Sequence, residues 1–393
     1  MPDIFTINPD HCVWDQTNSL MKKLIALLLL IYATSLLAAG PETVAFSNRS
    51  LWPDAIDSQP AFDQASRAEI LVFAEALSEV ATQDTATLKA KLHIKKVNLA
   101  SVERIRKKLA VHLLENWRAA AKSCDSSDVF CPKINTGQDM VAAGKELAGK
   151  LPEPYRAWHG NTNLFHKNYA NELIRLAALF PAVTSEIDTF SIIEHDGFEL
   201  PDRQFLLTFD DGPTNKNGNT DALLSVLNQA DLHASFYMLG ERLQARLKQN
   251  DPSTLAKLFQ NQCTALHGWE HQSHAKWAKW QESITKTLAL AKATFPKQYS
   301  PWFRPPYGQR KPDSEEFFKK QGLQVALWNI DSQDWNNHVS GDDAAQRVFT
   351  LMLLWRHGVV LFHDVHPKAL VAVPWLLEHT SGTGVSWKDC QTY

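Results

Sequence analysis

Residues 205–214 read FLLTFDDGPT, an apolar run closed by two adjacent acids and a Gly-Pro pair. A short apolar run ending in a turn signal is the pattern of a strand buried on both faces. Five similar runs follow: HASFYM (233–238), TALH (264–267), WFR (302–304), QVALWNI (324–330) and GVVLFH (358–363). Helix-like stretches lie between them, among them Asp221–Gln229, Ser283–Thr294 and Asp342–Trp355. Apolar strands alternating with helices predict a parallel sheet covered on both faces, and six strands suit a distorted (β/α) barrel. In such folds the active site lies at the C-terminal strand ends, so the polar residues that close each run are the candidates.

Upstream the period changes. Ile70, Phe73, Leu77 and Val80 form one helical stripe, Val102, Ile105, Leu109 and Leu113 another, and Leu173 to Phe180 a third that Pro181 stops. Residues 40–182 are therefore expected to be a helical N-terminal domain, joined by a polar linker (183–203) to a domain over 204–393. Ten Lys or Arg between Lys89 and Lys122 face only Glu103 and Glu115, the pattern of a solvated basic helix surface. Ahead of this, Met21, Lys22 and Lys23 precede the apolar stretch Leu24–Ala39. That is the order of a signal peptide over 21–39, too short for a comfortable membrane span. Residues 1–20 resemble neither signal nor domain, so synthesis is expected to start at Met21. The expected location is periplasmic or secreted, with membrane contact only through an uncleaved signal segment.

Composition agrees with a globular exported protein. The chain of 393 residues is 44% apolar and 21% charged, which excludes disordered and low-complexity classes. A net charge of -3 argues against a nucleic-acid partner, and nothing implies a protein partner. Downstream of the signal lie Cys124, Cys131, Cys263 and Cys390, which permit three pairings in an oxidising compartment. The short loop CDSSDVFC favours Cys124 with Cys131, then Cys263 with Cys390; buried free thiols are the alternative. No CxxC spacing supports a cysteine zinc site.

The strand-closing residues carry the chemistry. Asp210 and Asp211 end the first run, where neighbouring side chains on opposite sides of a strand can bind a cation and handle a proton. His267-Gly-Trp-Glu-His271 ends the third; two imidazoles and a carboxylate make a three-ligand zinc site with a position open for water. His271 with His274 is a competing pair, and His267 is preferred for its place at the strand end. The fourth run ends Arg304-Pro-Pro-Tyr307-Gly308, a stiff loop whose Tyr307 N–H could serve as an oxyanion donor. The fifth leads to Asp331, Ser332, Gln333, Asp334 and Trp335, and the sixth to Leu361, Phe362, His363 and Asp364.

In this order the set resembles the polysaccharide deacetylase (NodB homology) family, carbohydrate esterase family 4, over roughly residues 200–370. Gly268 and Gln272 depart from the family's second motif, which usually has Ser or Thr and Pro there; neither removes a ligand. The resemblance implies a NodB-type barrel with Asp211, His267 and His271 holding a divalent metal, zinc in the first instance and another transition metal as the alternative. Asp210 would be the general base with Arg304 as its counter-charge, and the Tyr307 N–H would help to hold the oxyanion. His363 would be the general acid with Asp334 beside it, and Trp335 and Leu361 would wall a pocket for the acetyl methyl. The expected reaction is removal of N-acetyl groups from an N-acetylglucosamine-containing polysaccharide of the cell wall or an extracellular glycan, releasing acetate. The alternatives are an O-acetyl esterase acting on a glycan such as acetylxylan and a non-catalytic glycan-binding protein. Nine of the thirteen tryptophans lie beyond residue 200; Trp269, Trp302 and Trp335 are expected to line a cleft, and Trp355, Trp375 and Trp387 to pack in the core.

Overall fold

The computed structural model describes residues 44–81, 83–179 and 188–393. The signal-like stretch and residues 1–20 lie outside these residues. Val44–Tyr393 forms one compact unit. Its first part is helical: α1 Gln59–Ala81, α2 Thr85–Lys91, α3 Leu99–Ala120, α4 Gly137–Lys150 and α5 Arg156–Leu179. Side chains set where these helices begin. Asp84 and Asn98 accept hydrogen bonds from backbone N–H groups of the first turns of α2 and α3, and Thr136 with Asp139 closes a capping box at α4.

Among the described residues nine strands follow: β1 Glu194–His195, β2 Gln204–Asp210, β3 Ser235–Met238, β4 Cys263–Leu266, β5 Tyr299–Phe303, β6 Gln324–Ala326, β7 Ile330–Asp331, β8 Gly358–His363 and β9 Ser386–Trp387. Among them run α6 Asn219–Gln229, α7 Gly240–Leu247, α8 Pro252–Leu258, α9 Trp280–Thr294, α10 Glu315–Gln321, α11 Gly341–Trp355 and α12 Ala369–Thr380. The sheet order is β1-β6-β5-β4-β3-β2-β8-β7, with β9 added beside the start of β2 and every pairing parallel. This is the distorted barrel, curled so that the chain itself crosses its seam.

The expected single strand QVALWNI is split there into β6 and β7. Between them Leu327 N–H donates to His195 O (2.7 Å), and the Asn329 side chain takes over the ladder, accepting from Val359 N (2.9 Å) and donating to His357 O (3.1 Å). Gly358 permits this approach, because a Cβ there would stand 2.1 Å from Asn329 Oδ1.

Period-two alternation sorts the strand residues. Phe205, Leu207, Phe209, Phe236, Val360 and Phe362 face outward and join the helices in one large core. Leu206, Tyr237, Ala265, Trp302, Ala326, Trp328, Val359 and Leu361 fill the barrel interior in two small clusters.

The division expected at residues 183–203 does not separate two bodies. Phe62, Ile70, Leu71 and Phe73 of α1 share the large core with Val348, Leu351 and Trp355 of α11. Arg356, just past α11, donates to Asp63 Oδ1 (2.7 Å) and to both Asp202 carboxylate oxygens (2.7 and 2.9 Å). Within the expected linker, Glu194–His195 is an edge strand pairing with β6. The physical reason is burial: α1 is enclosed on nearly every side, whereas a surface helix would keep a wet face.

Both favoured disulfides are present, Cys124–Cys131 and Cys263–Cys390. The second ties the chain's last turn to the start of β4. Beside it Tyr393 stacks on Trp302, with ring centroids 4.9 Å apart, and donates to Glu199 Oε1 (3.0 Å). Trp302 is thus 6% exposed inside the barrel and does not line a cleft, since alternation puts it one layer below Arg304 on the inward face. Trp355 is buried as expected, while Trp375 and Trp387 are half-buried against the core.

Candidate active site

Alternation also assembles the site. Asp210, His267, Arg304 and His363 all close strands at the same end of the barrel, and Asp210 is in register with His363. By alternation Asp211 would turn away. Its φ of 76° lies in the left-handed region and instead keeps its carboxylate beside the histidines. Asp211 Oδ1 is 3.4 Å from His267 Nε2 and 3.5 Å from His271 Nε2. The next residue, Gly212, cannot carry a side chain, because a Cβ would stand 2.0 Å from Asp364 Oδ2.

The three ligand-type atoms of Asp211, His267 and His271 lie within 4.8 Å of one another, the one such group among the described residues. Hydrogen bonding prepares them for a cation. His267 Nδ1 is 2.8 Å from Arg304 O, and since a carbonyl only accepts, the proton sits on Nδ1 and Nε2 presents a lone pair. Asp211 Oδ1 is buried without a hydrogen-bond donor. Burial alone would raise this carboxyl, but the positive charge of His363 helps to hold it well below the usual range. Burial lowers His271 to about 4, so it stays neutral with a free lone pair at ordinary pH. A carboxylate oxygen and two imidazole nitrogens converging on one point fit a divalent metal of the zinc type. His274, the competing ligand, is turned away: its Nδ1 lies 2.8 Å from Gln272 O and its Nε2 3.1 Å from Ser283 Oγ.

On one side of this group stands Asp210. Arg304, fully buried, donates from one terminal nitrogen to Asp210 Oδ1 (2.9 Å) and Thr208 Oγ1 (2.8 Å), and from the other to Leu327 O (3.1 Å). Its guanidinium also lies 4.0 Å over the Tyr237 ring. The arginine thus fixes one carboxylate oxygen, and Asp210 Oδ2 stays 3.8 Å from His267 Nε2, facing the ligand group. Thr208 and Tyr237 were not singled out from the sequence; the inward period of β2 and β3 is the signal that could have found them.

Next to Asp210, in register with it on the neighbouring strand, stands His363. Asp334 clamps it twice, accepting from its backbone N–H (2.9 Å) and from ring Nδ1 (2.7 Å). Burial would depress the imidazole, but the Asp334 charge and hydrogen bond outweigh it and push the pKa up to about 10.

The remaining candidates are spread around this centre. Tyr307 takes φ 59° in a tight turn closed by Gly308 N–H to Pro305 O, and its ring packs on His271 at 4.4 Å between centroids. Trp335 is 38% exposed beside Asp334. Leu361 is buried in the barrel interior with Leu206 and Trp328, two residues below His363 on the same face. Trp269 is half-buried under the Lys286 ammonium, 3.4 Å from its ring centre.

Residues 199–326 match the polysaccharide deacetylase family. Similar curated proteins include a peptidoglycan-N-acetylglucosamine deacetylase of Bacillus cereus, 29% identical over 46% of this chain and 67% of its own length. A bifunctional xylanase/xylan deacetylase of Cellvibrio japonicus is 31% identical over 40% of this chain and 22% of its own. Chitin deacetylase 1 of Saccharomyces cerevisiae is 28% identical over 40% of this chain and 50% of its own, so for these last two the chain spans half the relative's length or less. Among solved structures, a family 4 carbohydrate esterase from Streptomyces lividans with acetate is 29% identical, covers 46% of this chain and 89% of that one, and has a TM-score of 0.40.

Proposed function

We propose that this chain, which belongs to the polysaccharide deacetylase family through its residues 199–326, removes N-acetyl groups from an N-acetylglucosamine-containing glycan and releases acetate. The observation that carries this reading is the flanking of one open ligand group, Asp211, His267 and His271, by an arginine-held carboxylate and a carboxylate-held histidine. These are a base and an acid held at a single reaction centre.

A divalent metal held by Asp211, His267 and His271 would act as a Lewis acid toward the acetyl carbonyl and make water a better nucleophile. The chain's own groups do the rest. Arg304 holds Asp210 Oδ1, leaving Oδ2 to take the proton of the attacking water. The Tyr307 N–H, on its tight turn beside His271, serves as oxyanion donor. His363, protonated at ordinary pH, gives its Nε2 proton to the departing sugar nitrogen while Asp334 keeps the ring oriented through Nδ1. Trp335 offers an exposed flat ring to the sugar, and Leu361 closes the barrel beneath the acetyl group.

Export to the periplasm or beyond belongs to the same proposal, supported by the signal-like segment and the two disulfides. The likeness to a xylan deacetylase supports O-acetyl hydrolysis as a second reading, since the same groups would serve an ester. The test is acetate release by the zinc-loaded protein from peptidoglycan, chito-oligosaccharides, poly-N-acetylglucosamine and acetylxylan. Release from any of the first three supports the N-deacetylase, release from acetylxylan alone supports the esterase, and release from none defeats both.

A further inference from the structure

Outside the family match, Glu172 on α5 is buried at 7% exposure, yet its contacts lead to the loop that carries Asp334. Glu172 Oε2 accepts from Arg347 of α11 (2.8 Å) and from the Gln333 side-chain amide (3.2 Å), while Oε1 accepts from Ala45 N (2.9 Å). Arg347 in turn donates from Nε to Asp331 O (2.9 Å). Two polar side chains thus grip the segment Asp331–Gln333 from the helical side. Gln333 takes φ 54°, a conformation costly for a residue other than glycine, and its N–H is held by Asp331 Oδ1 (2.7 Å). One residue later Asp334 makes both hydrogen bonds to His363, and the following residue is the exposed Trp335.

We infer that Glu172 is a positioning residue: through Gln333 and Arg347 it holds the 331–335 loop in the conformation that presents Asp334 to His363. The consequence for turnover rests on the deacetylase reading above; the consequence for the His363 ring does not. The geometry gives the helical layer a role in the reaction without any contact with substrate, because a small displacement of Asp334 would rotate the imidazole it clamps.

The experiment uses the full chain and four variants: Gln333→Asn, which tolerates the left-handed backbone but falls short of Glu172; Glu172→Ala; Glu172→Gln; and Leu109→Ala in α3 as a control that weakens the core elsewhere. Acetate release is measured on the panel glycan the parent protein turns over, at a temperature where all are folded. The His363 Nδ1–H resonance is followed by NMR in histidine-labelled protein. Gln333→Asn and Glu172→Ala should lower kcat on the order of tenfold, leave KM within about twofold, and shift or broaden that resonance. Glu172→Gln, which still accepts from Gln333, should be rescued in part, and Leu109→Ala should lose melting temperature without losing kcat. Parent-like kcat and resonance in both Gln333→Asn and Glu172→Ala would overturn the inference, as would an equal kcat loss in Leu109→Ala. If the parent protein deacetylates nothing in the panel, the functional reading fails, and the resonance alone decides whether Glu172 positions the ring.

Discussion

Two carboxylates, each beside histidine, meet opposite ends. Glu69, in the helical layer, has all its acceptor capacity filled: Arg49 and Trp158 Nε1 (3.0 Å) bind Oε1, and Thr162 (2.6 Å) and His166 Nε2 (2.7 Å) bind Oε2. Asp211, at the strand ends, has an oxygen with no donor and two imidazole lone pairs aimed at it. The residue types are nearly the same. What separates a structural ion cluster from a candidate metal centre is the direction of the protons: in the first every donor points at the carboxylate, and in the second the His267 proton is engaged by Arg304 O instead.

That contrast can be broken by substitution. The largest effect should come from Asp210→Asn, which removes the base and keeps the ligands. Acetate release should fall by roughly 10²–10⁴-fold with metal content unchanged, and retained activity would show that the open cluster is not served by this base. In the same cluster Asp211→Asn should abolish zinc uptake, measured by elemental analysis, because it removes the anionic ligand. Glu69→Gln should act on stability instead. It leaves the buried Arg49 without a counter-charge and should cost about 3–5 kcal/mol by denaturant unfolding, with kcat of the folded fraction preserved.

The closed cluster also predicts a pH signature. Burial would raise Glu69, but Arg49 and the His166 hydrogen bond outweigh it and hold the pKa at about 2, below the reference value of 4.5. A depressed carboxyl stabilises fully above its unfolded value and loses that contribution as pH falls through the folded one. Metal-free protein should therefore lose about 3 kcal/mol between pH 4.5 and 2 from this group, and Glu69→Gln should show a flatter profile in that window. A smaller effect is expected at the rim: Trp335→Ala should raise KM by an amount equivalent to about 1 kcal/mol, with stability and kcat little changed.

The barrel and its polar ends were legible because strand periodicity is local: Asp210, His267, Arg304 and His363 each close a run that can be read within a few residues. The helical layer was not. Asp63, Arg67 and Glu69 in α1 are charged residues of the kind expected on a wet helix surface, yet all three are buried. Their partners include Arg356 for Asp63, Arg49 for Glu69 and Asp128 for Arg67, separations that no window of periodicity spans. The same distance hid the link from Glu172 to Gln333. Trp302 was misplaced for a different reason, since its nearness to Arg304 in sequence said nothing about which layer of the barrel it fills.

The sharing of one core between α1 and α11 limits how this chain can be taken apart. A fragment trimmed to the family-matched region and its following strands would strip the cover from Val348, Leu351 and Trp355, and would remove Asp63 from a fully buried Arg356. The barrel is therefore not a portable module here. Swapping it into another protein, or losing the helices by proteolysis, would turn an internal surface into a sticky external one, so the two halves must be inherited, expressed and engineered together.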